Sequence, residues 1–294
     1  MFRVLRAGFP MFKWCMVSLV AAVTAALAVN PAADRAQSLY QETNYAGALQ
    51  ILNGLPQKDA GVYDLTGRCY YMQGDFKKAT ELFQKAIAGE PRNSMHYLWL
   101  GRAYGRRAEI ASVLTAPAWA SKARQSFEKA VELDPRNLEA IDDLLEYYLE
   151  APGILGGGID KASRLAERLK TTDPTGYYHA QARIAESRKE YDSAEQHLRH
   201  AVEMSPMQVG RVIDLARFLA KLGRYQESDQ AFGQAEKIAP DSPKLLFAQA
   251  QTYIETGRNL KKAQQLLKRY LQCRLTPDDP SREKAQLLLK KAAS

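Results

Sequence analysis

Residues 63–91 read YDLTGRCYYMQGDFKKATELFQKAIAGEP. Tyr63, Gly67 and Tyr70 fall at helical spacing, Gln73-Gly74-Asp75 interrupts it, and Ala79, Phe83 and Ala86 resume it until Pro91 stops it. The stretch predicts two helices joined by a tight turn. Small Gly67 and Ala79 let the helices approach closely, and the aromatics fill the space that remains.

The same pattern recurs along the chain. Pro91, Pro135, Pro174, Pro206 and Pro240 stand at intervals of 44, 39, 32 and 34, and Ala79, Ala123, Ala162, Ala194 and Ser228 repeat those intervals. On the other helix of each pair, Tyr70, Tyr104, Tyr148, Ala185, Leu219 and Tyr253 are spaced 34, 44, 37, 34 and 34. Two rulers that agree on one period, with a third that shifts where units lengthen, mark an array of helix pairs. Leu39, Ala48 and Leu52 begin it; Leu246, Ala250, Tyr253, Ala263 and Leu267 continue it, with one extra residue near Asn259.

On these residues the chain resembles the tetratricopeptide repeat (TPR) family. The resemblance implies an all-α, right-handed α-solenoid of antiparallel helix pairs, about seven units over 29–276, with an amphipathic, lysine-rich capping helix at 277–294. Its motifs are sharpest in units two and three; unit five has Ala182 and Ala185 for the usual Gly and Tyr.

Comparing the rulers places about ten extra residues in unit three and five in unit four, as enlarged turns at 105–121 and 149–160. The second contains APGILGGGIDKA (151–162), where Ala151-Pro152-Gly153 stops one helix and Asp160 is positioned to cap the next. Its glycines do not form a phosphate loop: Lys161 precedes Ala162 rather than Ser or Thr, and a helix, not a strand, leads in. The apolar Ile110, Val113, Leu114 and Trp119 of one insertion and Ile154, Leu155 and Ile159 of the other are expected to pack together and extend a groove wall.

Composition agrees with a helical chain: 46% hydrophobic and 25% charged, with few runs rich in Val, Ile and Thr. Residues 1–28 form a candidate signal peptide. Arg3, Arg6 and Lys13 precede the apolar run 15–29, no acidic residue occurs before Asp34, and Ala26-Leu27-Ala28 suits cleavage after Ala28, with Ala33 as second choice. The expected location is therefore exported, periplasmic or secreted. The alternative is an uncleaved anchor, the only form in which a membrane is a partner; a mitochondrial presequence fits the compact apolar block less well. Removing 1–28 takes away three basic and no acidic residues, lowering the net charge from +8 to +5. Lys and Arg are interspersed with acids, which argues against nucleic acid as a partner.

No catalytic constellation, metal spacing or cofactor motif is evident, and no enzyme is expected. His197 and His200 share a helical face without a third ligand nearby, and Cys69 and Cys273 imply no disulfide framework. Tyr71 and Tyr147 lie off the rulers and either pack or face a groove.

The resemblance implies that the first helix of each pair lines the concave, partner-binding surface. That face would carry Asp64, Arg68 and Tyr71, then Leu98, Arg102 and Arg106, then Asp142, Glu146 and Glu150. His179 and Arg183 follow, then Ile213, Arg217 and Lys221, then Phe247 and Gln251. The charge is banded basic, acidic, basic. Both solvation of exposed faces and recognition of another protein or peptide account for it. Some family members hold the acidic tails of heat-shock chaperones in a Lys/Asn/Arg clamp; here Asp64/Arg68, Trp99/Arg102 and Asp142/Glu146 occupy those places, so that clamp is absent. The expected function is a non-enzymatic interaction scaffold; the alternatives are a membrane-tethered assembly factor of an envelope complex, or an enzyme accessory that uses the enlarged turns. Its partner-binding candidates are Arg68, Tyr71, Arg102, Arg106, Asp142, Glu146, Arg183 and Arg217, with Trp119, Ile154 and Leu155 in the enlarged turns. Arg102 and Arg106 would be exchangeable for Glu at little cost to stability.

Overall fold

The computed structural model describes residues 31–293; the candidate signal peptide lies outside them. The described chain is all-α, with fifteen α-helices and no strand. They pair as α1 (Pro31–Gln41) with α2 (Tyr45–Gly54), α3 (Ala60–Met72) with α4 (Phe76–Gly89), and α5 (Ser94–Ile110) with α6 (Ala116–Leu133). Next come α7 (Leu138–Glu150) with α8 (Ile159–Glu167), α9 (Pro174–Ser187) with α10 (Tyr191–Met204), and α11 (Val209–Lys221) with α12 (Tyr225–Ile238). The last pair is α13 (Pro243–Glu255) with α14 (Leu260–Gln272), and α15 (Arg282–Ala293) packs against both.

Local chemistry sets many of the helix starts. Asp59, Asp75, Asn93, Asn137, Asp173 and Ser242 each accept a hydrogen bond from an amide of the first helical turn, satisfying donors that have no partner inside the helix. Close approach within pairs follows from missing side chains. A Cβ on Gly67 would sit 2.7 Å from the Phe83 ring, and one on Gly101 2.5 Å from Phe127. Ala48, Ala79, Ala162, Ala194 and Ala263 are fully buried in the equivalent places. The tyrosines on the first helices bridge backwards to the preceding unit: Gln84 donates to the Tyr104 hydroxyl at 2.9 Å, while Tyr148 donates to Glu128 at 2.9 Å and Tyr253 to Asp229 at 3.0 Å.

Both insertions differ from the sequence expectation. The first is mostly helix: α5 and α6 are lengthened to 17 and 18 residues, and only 111–115 turns. Its tip is raised beyond the reach of neighbouring elements, so Ile110, Val113 and Leu114 stay exposed, the last two at 89% and 92%. Ile154 is exposed at 93%, so the tips of the two insertions do not cover each other, whereas Trp119 and Ile159 pack against the same core cluster. In the second insertion a 3-10 turn, Gly153–Leu155, follows α7. Gly158 rather than Asp160 precedes α8, because its φ of 146° turns the chain into the helix; Asp160 lies within the first turn. Pro174 opens α9 instead of ending α8, which stops early at Glu167.

Candidate functional site

Successive first helices lie side by side, α3 against α5, α5 against α7, α7 against α9, and α11 against α13. Their free faces build two cavities. The larger, about 930 Å³, runs over four helices: Glu146 and Glu150 on α7, His179 and Arg183 on α9, Asp214 and Arg217 on α11, and Thr252 and Glu255 on α13. The smaller, about 490 Å³, lies among α3, α5, α6, α7 and the 3-10 turn, with Tyr71, Phe127, Tyr147 and Leu155 in its walls.

Most of the banded charge pairs within the chain. Arg102 Nε lies 2.6 Å from Asp143 Oδ2 and its Nη2 3.0 Å from Glu139 Oε2, tying α5 to α7. Arg183 lies 3.6 Å from Glu146, tying α9 to α7; His179 lies 3.3 Å from Asp214, and Lys221 pairs with Glu186, both tying α11 to α9. Arg68 pairs with Asp64 at 2.6 Å and lies 4.9 Å from the centre of the Trp99 ring, which Arg102 also approaches at 4.9 Å. Arg106 pairs with Glu109 and lies over Phe76. Arg217 is exposed and, among the described residues, has no hydrogen bond or ion pair, as does Glu150.

Electrostatics follow from this pairing. Desolvation raises the pKa of Glu146; Arg183 opposes the rise, while Glu150, Asp143 and Asp142 add to it by crowding like charge. Burial alone would raise Asp214, yet His179, Lys244 and Arg211 bring it below the ordinary carboxylate value. Burial pushes the Cys69 thiol up to about 12, so it behaves as a core group rather than a nucleophile.

Several face assignments shift. Asp142 is exposed and lines neither cavity, whereas Glu139 and Asp143 pair with Arg102 and Glu146 and Glu150 line both cavities. Leu98, Ile213 and Phe247 are core, and Asp64 is buried. Tyr71 packs edge-on to Phe76 and Trp99, each 5.4 Å away, and lines the smaller cavity. Leu155 joins that cavity, held by Tyr147, whose hydroxyl donates to the Leu155 carbonyl at 2.8 Å. Trp119 lies outside both cavities, stacked 5.7 Å from Tyr104 with Arg107 at 3.5 Å. His197 and His200 flank Tyr178, and no group of three metal-binding side chains occurs among the described residues. The sequence reading overlooked Glu139 and Asp143, although their i, i+4 spacing was a usable signal.

Family models described as tetratricopeptide repeat match residues 60–93, 175–206 and 213–280. BBSome complex member BBS4 from Bos taurus is 28% identical over 145 residues, 48% of this chain and 25% of that protein. Curated relatives that match are longer, and the chain spans 25% and 20% of their lengths. A tetratricopeptide repeat protein from Parabacteroides merdae has a similar fold, with a TM-score of 0.58 and 13% identity over 90% of this chain and 98% of its own. TTC0263, a thermophilic TPR protein of Thermus thermophilus, gives a TM-score of 0.51 at 22% identity over 64% and 97%. At these identities the likeness to solved structures is one of fold.

Proposed function

We propose that this chain, which carries tetratricopeptide repeats, holds a segment of another polypeptide along the face formed by its first helices, without catalysing a reaction. Repeats of this kind indicate a protein interaction scaffold in general, and their fold is typically non-catalytic. The observation that carries the groove reading is the 930 Å³ cavity across four consecutive first helices, in which Arg217 is exposed and unpaired while its cationic neighbours are neutralised by the chain itself. An unpaired guanidinium in a long cleft suits a carboxylate of a bound chain. Recovery of a specific partner from an envelope extract of the native host, with wild type and Arg217→Glu as baits, tests this. The variant is expected to lose the partner; equal recovery would remove the groove as the site.

Export belongs to the same proposal. The basic, apolar, Ala-x-Ala order of 1–28 supports a cleaved signal and, with it, a scaffold in the periplasm or outside the cell. Intact-mass measurement on protein from the exporting host should find a chain beginning after Ala28 or Ala33. Retention of Met1 would leave the anchored form.

A further inference from the structure

We infer that the smaller cavity is an anchor pocket for the partner polypeptide, taking one large apolar side chain that has a lysine or arginine beside it. The inference rests on the scaffold reading above and names the partner's chemistry.

The pocket is a built feature. Both insertions make it: the added turns of α6 bring Ala120, and the 3-10 segment brings Pro152 and Leu155, positions that the shorter units do not have. The glycines beyond Leu155 hold that segment in place. Gly156 is left-handed, with φ 87°, and a Cβ on Gly157 would fall 1.8 Å from the Ala151 carbonyl oxygen, so no other residue fits there without moving the turn. The Gly158 amide donates to the Tyr148 carbonyl at 2.8 Å, and the Lys161 ammonium to the Gly156 carbonyl at 2.7 Å. The wall is thus bonded to α7 and α8.

Inside, Gly105 and Ala108 of α5, Ala120 and Phe127 of α6, Tyr147 and Leu155 present mainly carbon. A volume of about 490 Å³ accommodates a large apolar side chain. The rim sets the charge. Its two arginines are already neutralised, Arg102 by Asp143 and Glu139 and Arg106 by Glu109, whereas Glu150 has no cation and Glu146 only the more distant Arg183 at 3.6 Å. A cation seated between Glu146 and Glu150 relieves the crowding of carboxylates on α7. Those two residues also line the larger cavity, so a chain anchored here continues into the groove.

A random-peptide display library selected on the full-length protein supplies the probe. Affinities of enriched synthetic peptides are then measured for wild type, Gly105→Leu, Leu155→Asp, Glu150→Lys and Arg217→Glu. A Cβ at Gly105 meets nothing within 4 Å, so leucine there fills the pocket without a backbone clash and favours the helix. Leu155→Asp is an independent route at a half-exposed wall position, and melting curves verify that each variant folds. Enriched peptides are expected to share Leu, Ile, Met or Phe next to Lys or Arg. Gly105→Leu and Leu155→Asp should weaken them tenfold or more, and Glu150→Lys about threefold to tenfold. Peptides that bind both pocket variants like wild type, or that lack the basic residue, overturn the inference. If such peptides still lose affinity with Arg217→Glu, the scaffold reading survives alone; a library without binders removes both.

Discussion

Arg102 and Arg106 lie one turn apart on α5, yet they differ in what holds them. Arg102 is a partly buried clasp between α5 and α7, whereas Arg106 pairs only with Glu109 of its own helix at an exposed site. Arg102→Glu would set three carboxylates together and is expected to cost about 1–3 kcal/mol in urea unfolding. Arg106→Glu should stay within about 0.5 kcal/mol. Equal effects would show that the clasp is not structural. His96 makes a second local claim. It is 3% exposed, with Nδ1 2.8 Å from Asp64 and Nε2 3.2 Å from Glu90. Burial alone would lower its pKa, but hydrogen bonds and charge from Asp64 and Glu90 outweigh that and raise it above 6.5. A folded value above the unfolded one means stabilisation that is complete below about pH 6.5 and lost as pH rises through the folded value. In urea unfolding, the advantage of wild type over His96→Gln should therefore be greatest below about pH 6.5 and shrink as the pH rises above it. A constant difference would mean that the imidazolium contributes nothing.

The lengthened α5–α6 hairpin divides its apolar residues between packing and exposure. Trp119 stacks on Tyr104, with Arg107 and Lys122 against its ring, whereas Val113 and Leu114 at the tip meet solvent. Trp119→Ala is expected to lower stability by about 1–3 kcal/mol, less than for a fully buried tryptophan because its ring is only partly covered. Replacing Val113 and Leu114 by Ser should leave the melting temperature nearly unchanged. A large loss from the tip variant would show that the tip is covered in the folded protein. The 3-10 turn behaves differently from that tip, because its carbonyl and amide groups are bonded to Tyr147, Tyr148 and Lys161.

Along the whole described chain the core is a series of clusters passed from one helix pair to the next, and its last surface is covered by α15. Phe247, Leu267 and Tyr270 are buried in the cluster that includes Ala285 and Ala292 of the cap. The cap is also fastened by polar contacts: Gln264 donates to the Ala292 carbonyl at 2.7 Å, and Arg282 donates to the Cys273 carbonyl at 2.8 Å and to the Leu271 carbonyl. Deleting 274–294 would expose the apolar face of α13 and α14, as loss of a terminal cap does in any stacked array. Light scattering coupled to size exclusion is expected to show self-association of the truncated chain, with a lower melting temperature. A truncated chain that stays monomeric and as stable as the parent would assign α15 a different role.

Helix pairing was legible from spacing because burial of small residues demands it: Gly67 faces Phe83 and Gly101 faces Phe127 at distances that leave no room for a Cβ. The same steric demand marked Ala79, Ala123, Ala162 and Ala194 in the linear order. Arg217, Glu146 and Tyr71 line the cavities of the first-helix face. Counting residues cannot decide whether an insertion lengthens helices or opens a loop, since both use the same number, and α5–α6 took the first course while 151–158 took the second. Nor can it show which charges are spent. Arg102 and Asp143 are 41 positions apart and meet only because stacking sets α5 beside α7. Asp143 rather than the adjacent Asp142 meets Arg102, because each helical residue turns the side chain by about 100°. Periodicity records which residues must be small or buried, while the pairing of long polar side chains depends on the rotation of neighbouring helices, which is set by packing between units.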